Sequence, residues 1–431
     1  METAVKTNTL KDKIVSEFES SKGALFGGLK LREEALESFL KQGIPNRKSE
    51  EYKYVNVELM LKGEFSFEST KTISAKQIEH TKFIKDAIDV VIVNGVFSND
   101  LSNIKFLPKG VTILNMADAT ANEVFQKHFS KYAEINADAF IALNTALANG
   151  GVFIHVAKGA IIEAPIHIIN ISKTAKNTII HSRNLIVVEE NAQVKIIESF
   201  ESVNATAKTF TNSVTEVVVE QNALVDYTKI QNENEFGHLV NTTQVYQKEK
   251  SVVTTNTITL SGSLVRNNLN IVLDGEHIES HLNGLYLTNG NQVVDNHTLV
   301  DHRKPNCNSN ELYKGIIEDK SSATFNGKIY VRKDAQKTNA FQSNKNILLS
   351  DDGTINTKPQ LEIYADDVKC SHGTSTGKLD ADKIFYLRAR GLSETSAKKL
   401  LMHAFASEVV ASIKLEEVRE YIEEKISKRF E

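Results

Sequence analysis

The spacing of apolar residues changes twice along this chain. Over roughly the first 85 residues it follows a helix. Leu10, Ile14 and Phe18 recur every four residues, and Ala35, Leu36, Phe39 and Leu40 form a second stripe. Gly43 and Pro45 stop that second helix. The segment "GIPNRKSEEYKYVNV" that follows is polar and aromatic, and predicts a loop or a short helix.

From about residue 86 to residue 378 the period becomes two. "DVVIVNG", "VFIHVAKGAIIEAPIHIINIS", "NLIVVEENAQVKIIES" and "VTEVVVEQNALVDYTKI" are rich in Val and Ile and are separated by short Gly, Asn and Asp turns. This predicts strand after strand with no helix between them. A repeat runs through the same region. Val156-Ala-Lys-Gly-Ala160-Ile-Ile162 resembles Val188-Glu-Glu-Asn-Ala192-Gln-Val194 and Val219-Glu-Gln-Asn-Ala223-Leu-Val225, and the three begin about 31–32 residues apart. Leu349–Ile355 and Val331–Ala335 are looser echoes. A small residue after a tight polar turn suits a corner where stacked coils approach closely. The expected fold is mainly β, a β-helix or solenoid, with a β-sandwich as the competing arrangement.

Helical period returns from about residue 379 to residue 431. Ser393 is placed to cap a helix whose Ala397, Leu400, Leu401, Ala404 and Phe405 share a face. A last helix carries Leu415, Val418, Ile422 and Ile426. Glu416 and Glu417 fall in its first turn and Lys425, Lys428 and Arg429 near its end, which suits the helix dipole. Two such helices could close the open end of a solenoid or offer a face to a partner. The pattern by itself favours closure.

Composition narrows the functional classes. Lys and Arg total 51 against 55 Asp and Glu, a net charge of −4, so no overall field draws the chain to nucleic acid or an anionic membrane. No run of 18 apolar residues predicts a membrane helix, and the N-terminus has no apolar leader core. Two cysteines in 431 residues make no disulfide framework, so a reduced cytoplasmic setting is expected. No P-loop lysine pattern is present.

The chemistry concentrates in "IYADDVKCSHGT", Ile363–Thr374. On a regular strand Asp366, Val368, Cys370 and His372 project one way and Asp367, Lys369 and Ser371 the other, with Gly373 as the expected end. Three readings of the pair are open. Cys370 and His372 could be a buried thiol and a hydrogen-bonded imidazole without chemistry. They could be a nucleophile and its base, although neighbours on one strand are poor geometry for that. They could contact a metal or an iron–sulfur cluster. A complete cluster commonly takes four thiolates, and this chain has only Cys307 and Cys370, so any cluster would be incompletely held or shared with another chain. His302 and Cys307 lack a second ligand pair, and a solvent-exposed turn is expected there.

At these residues a family resemblance emerges. The stretch from "NELYKGIIEDK" at Asn310 to "HAFASEVV" at Val410 resembles the SufB/SufD family of iron–sulfur cluster assembly proteins. Residues 43–57 are similar to that family's early segment, with Tyr52 where Trp is frequent. "KPQLEIYADDVKCSHG" is similar to the SufD branch, and Ser343 takes the place of a cysteine that SufB carries. The resemblance implies a right-handed parallel β-helix core over 86–378, between a helical region over 1–85 and a helical region over 379–431. It implies a non-catalytic scaffold subunit that pairs with SufB and binds the SufC ATPase. The docking region for SufC would include Leu400, Leu401 and Phe405. His372, then Cys370, would touch transient iron or a nascent cluster shared with SufB. A homodimer of the isolated chain, an inert Cys–His pair in a purely structural partner, and a polysaccharide-acting β-helix enzyme are the alternatives.

Overall fold

The computed structural model describes residues 9–24, 26–67, 73–203 and 205–429. Residues 1–8, part of the N-terminus read above for a leader, lie outside them. Successive strands join two sheets in turn, one of ten strands and one of nine. From Val152–Val156 to Thr338–Leu348, each strand pairs with the second strand after it in the chain. Gln193–Ser202 lies beside Leu224–Asn232, which lies beside Val252–Ser261, all parallel. Among the described residues antiparallel pairing is confined to the start, between Ile88–Val93 and Val96–Phe97 and between Val111–Asn115 and Val152–Val156. Such pairing is a parallel β-solenoid. A sandwich of the competing kind would be built from antiparallel strands.

The repeat has a physical origin at the coil corners. Asn191, Asn222, Lys250, His277, Asn306 and Lys337 all take φ between 57° and 62° or within a degree of it. Each is followed by a buried side chain turned into the corner: Ala192, Ala223, Ser251, Ile278, Cys307 and Thr338. The left-handed residue bends the chain, and its N–H bonds forward to the next coil, as from Asn191 to the Gln221 carbonyl and from Asn222 to the Glu249 carbonyl, both 3.0 Å. Asn tolerates that conformation better than most residues.

Cys307 therefore belongs to a stack of corner residues. The expected exposed turn is corrected: Cys307 and His302 are both fully buried. The Cys307 thiol donates to the Gly275 carbonyl at 3.1 Å, and His302 Nε2 is 2.9 Å from Ser309 Oγ.

Helices cover both flanks. Leu10–Ser21 and Leu29–Gln42 bury Ile14, Phe18, Ala35, Leu36 and Phe39, as the spacing predicted. They pack with Ala139–Leu147 over Ile179, Phe210, Val240 and Leu264 on the outer face of the nine-stranded sheet. Ala139–Leu147 corrects the expectation of unbroken strands after residue 86, as do the shorter helices Met116–Ala119 and Glu123–His128. Every residue of Ala139–Leu147 is buried, so it shows no amphipathic period to read.

The C-terminal helices Glu394–Val410 and Glu416–Arg429 lie on the outer face of the ten-stranded sheet, against Ile197, Ile230, Ile258, Leu285, Leu287 and Ile316. They do not close the end of the solenoid, contrary to the expectation from pattern. The contact face of the first is Ala397, Met402, Ala406, Val409 and Val410, with Phe405 packed at its side; of the predicted stripe, Ala397 and Phe405 fall on it, whereas Ala404 and Leu400 are exposed. Among the described residues the last coil, Thr354–Ile363 and Val368–Gly377, has a strand neighbour on one side only.

Candidate functional site

The uncovered last coil is where the sequence-predicted pair lies. Val368–Gly377 runs in register with Thr338–Leu348, so Ala340 stands beside Cys370, Gln342 beside His372 and Ser343 beside Gly373. Partners in register share a face. Ala340 and Gln342 are buried inside the solenoid, whereas Phe341 between them is 44% exposed. Cys370 and His372 thus both take the inward direction, as alternation predicted. The strand continues through Gly373 to Gly377 because the neighbouring strand supplies a ladder for its whole length.

The two side chains meet different surroundings. Cys370 packs with Val368 and Leu361 against Ile329, Val331, Ala335, Ala340 and Ala365. Burial raises its thiol above the ordinary value, which disfavours the thiolate. His372 is exposed at the lip of the coil. An added Cβ at Gly373 would meet nothing within 4 Å, so the opposite, outer face of the strand is open there as well.

Behind His372 runs a column of polar residues. Glu311, Gln342 and His372 are register partners on three consecutive strands of the ten-stranded sheet. Gln342 Nε2 donates to Glu311 Oε2 at 2.7 Å. Burial pushes the Glu311 carboxyl up to about 7, against the pull of the hydrogen bond from Gln342. Sequence inspection missed Glu311 and Gln342; the available signal was their placement one and two coils before His372.

A groove of about 590 Å³ opens nearby, lined by His281, Asn283, Asn310, Phe341, Ser343 and His372 among others. Ser343 alternates with Gln342 and so lies on the outer face, opposite to the direction of His372. Among the described residues no three His, Cys, Asp or Glu side chains converge to hold a metal ion. Cys307 and His302 do not join the pair. Burial moves the Cys307 thiol up to about 11 and the His302 imidazole down to about 4.

On the flank, Leu400 is 49% exposed. Leu401 and Phe405 are half-buried. Phe405 is held by Lys314, whose Nζ lies 4.5 Å from its ring centroid and donates to its carbonyl at 2.8 Å. The neighbouring helix Ala381–Ala389 buries none of its residues and leaves Phe385 and Tyr386 exposed. Tyr52, in the early segment, is buried. Its hydroxyl donates to Asp138 Oδ2 at 2.6 Å, and the Arg266 guanidinium stacks over its ring at 3.9 Å.

Fold and site define a parallel β-solenoid with helical flanks and one uncovered end that carries an accessible imidazole. The family model described as SUF system FeS cluster assembly, SufBD core domain, matches residues 170–405, and the model of the SufBD protein N-terminal region matches residues 26–168. The chain belongs to the SufBD family, and its role lies in SUF iron–sulfur cluster assembly. It is 30% identical to the iron–sulfur cluster assembly protein SufD of Escherichia coli K12 over 91% of each chain. An iron–sulfur cluster assembly SufBD family protein of Synechocystis is 31% identical, over 86% of this chain and 84% of its own. SufD of Bacillus subtilis is 25% identical over 73% and 72%. No described helix is long and apolar enough to cross a membrane.

Proposed function

We propose that this chain is a non-catalytic scaffold subunit of the SUF assembly complex. Its uncovered last coil pairs with the homologous solenoid of SufB, and its C-terminal helices receive the SufC ATPase. His372 carries this reading: a good iron ligand stands exposed on a strand whose outer edge has no strand partner among the described residues. An open strand edge is a template for another chain. Exposed Leu400, Phe385 and Tyr386 support a partner on the helical flank.

In the proposed cycle SufC dimerises on ATP and pulls on the terminal helices. The seam between the solenoids loosens, and His372, with Cys370 behind it, meets ligands of SufB. Iron and sulfide are cargo delivered to that seam. The test is co-expression with SufB and SufC from one plasmid, followed by anaerobic iron and sulfide reconstitution. His372→Ala is expected to leave the complex assembled and to abolish most cluster formation. Unchanged cluster formation would overturn the ligand role and leave a purely structural partner.

A further inference from the structure

The column behind His372 carries one step more. A carboxylate accepts hydrogen bonds and cannot donate them, so whenever Glu311 is ionised it must be faced by the NH₂ end of the Gln342 amide. The 2.7 Å contact from Nε2 to Glu311 Oε2 is that arrangement. The amide is planar, so fixing its nitrogen toward Glu311 turns its oxygen away from that strand. Gln342 is 3% exposed, and its Oε1 is buried without a hydrogen-bond partner. Across the solenoid the amide lies against Gly327, where an added Cβ would stand 2.2 Å from Nε2. A buried carbonyl oxygen with no donor is a costly group. The same-facing residue on the next strand is His372, a potential donor.

We propose that Gln342 is a positioning residue for His372. In this structure that oxygen makes no hydrogen bond to His372; when the exposed imidazole turns inward onto it, the oxygen accepts the N–H of one ring nitrogen. The other nitrogen then stays unprotonated and is presented to whatever meets the last coil. Ligating histidines are regularly held this way, by an acceptor on the nitrogen that does not bind metal. Glu311 acts one residue further back by fixing which end of the amide faces His372. This rests on the ligand role proposed for His372, and the experiment separates the two.

Nitrogen-15 spectra of the imidazoles in the full-length protein would be recorded for the wild type, Gln342→Met, Gln342→Glu and His372→Ala, the last to assign the His372 signals. The wild type is expected to hold His372 in one dominant tautomer near pH 7.5. Gln342→Met, which keeps length and removes the acceptor, is expected to give the mixture of a free imidazole. Gln342→Glu, which keeps an acceptor oxygen, is expected to retain one tautomer. In the complex with SufB and SufC, Gln342→Met is expected to slow cluster formation about 10- to 100-fold, the usual loss for such a partner. If His372→Ala abolishes cluster formation but Gln342→Met changes neither the tautomer nor the rate, Gln342 has no positioning role. If His372→Ala is silent but the tautomer follows Gln342 as described, the ligand role fails and the positioning contact stands.

Discussion

His297 Nδ1 lies 3.2 Å from the Glu51 carboxylate, so the early segment is tied to the outer face of the nine-stranded sheet. The other ring nitrogen is 2.9 Å from Asp295 Oδ1, and Arg266 pairs with the same Asp295 carboxylate. Glu50 adds a contact to Lys358 of the last coil at 2.5 Å. Residues 50 and 51 thus reach from the N-terminal region to the final turns of the solenoid.

This cluster predicts a pH dependence. Burial opposes protonation of His297, but the Asp295 charge and the hydrogen bonds to Asp295 and Glu51 hold its folded value above the ordinary 6.5. Its contribution to stability is therefore complete below about 6.5 and disappears as pH rises through the folded value. The hydrogen bond from His297 holds Glu51 below its ordinary 4.5, so that share is present above 4.5 and lost as pH falls through the folded value. At pH 6, His297→Gln is expected to lower the unfolding free energy by about 1–3 kcal/mol. Urea titrations should show that difference shrinking toward pH 9. Glu51 is mostly exposed, so Glu51→Gln should cost less than about 1 kcal/mol.

Glu216 is expected to be a critical buried charge. Its carboxylate accepts from the Arg183 guanidinium at 2.8 Å and from the backbone N–H groups of Ser130, Tyr132 and Ala133 at 2.8–2.9 Å. Glu216→Ala leaves a buried guanidinium and three N–H groups without their acceptor. A loss of about 3–5 kcal/mol is expected in chemical denaturation, with faster hydrogen exchange over residues 130–133. A variant within 1 kcal/mol of the wild type would contradict this.

The corner conformation makes Asn222 informative. At φ 56° a β-branched side chain is strained, while glycine is not. Asn222→Val should cost about 1–2 kcal/mol, whereas Asn222→Gly should stay within about 0.5 kcal/mol. Thermal melts of the two variants test the difference. It should be seen again at Asn191, whose side-chain Oδ1 accepts from Asn222 Nδ2 at 3.1 Å.

Thiol labelling should separate the cysteines. Cys307 is fully buried with its thiol raised to about 11, while Cys370 is half-buried on the last coil. In the native protein at pH 8 a thiol reagent should modify Cys370 slowly and leave Cys307 intact. Both should react at once in guanidinium. Rapid native labelling of Cys307 would contradict the corner stack.

Much of the solenoid was legible because its repeat is local. Val188-Glu-Glu-Asn-Ala192 and Val219-Glu-Gln-Asn-Ala223 record a strand end, a left-handed residue and a small inward side chain, each a short-range requirement. The stripe of Val418, Ile422 and Ile426 was legible for the same reason. Ala139–Leu147 was not, because a helix buried on every side has no polar face to set a period. Cys307 and His302 were misjudged because a polar flank such as "HRKPNCNSN" reads as surface, whereas the inward turn of one residue is set by the coil stacked upon it.

The sequence by itself determined the repeating β region between helical regions, the family likeness, and the common direction of Cys370 and His372. Alternation and repeat are properties of neighbouring residues, so they survive in one dimension. The tertiary structure alone decided that the C-terminal helices lie along a flank and leave the last coil open. It alone decided that Cys370 enters an apolar cluster while His372 stays at the lip, with Gln342 and Glu311 lined up behind it. Those relations join residues about thirty positions apart through strand register, and register is fixed only when one coil packs on the next.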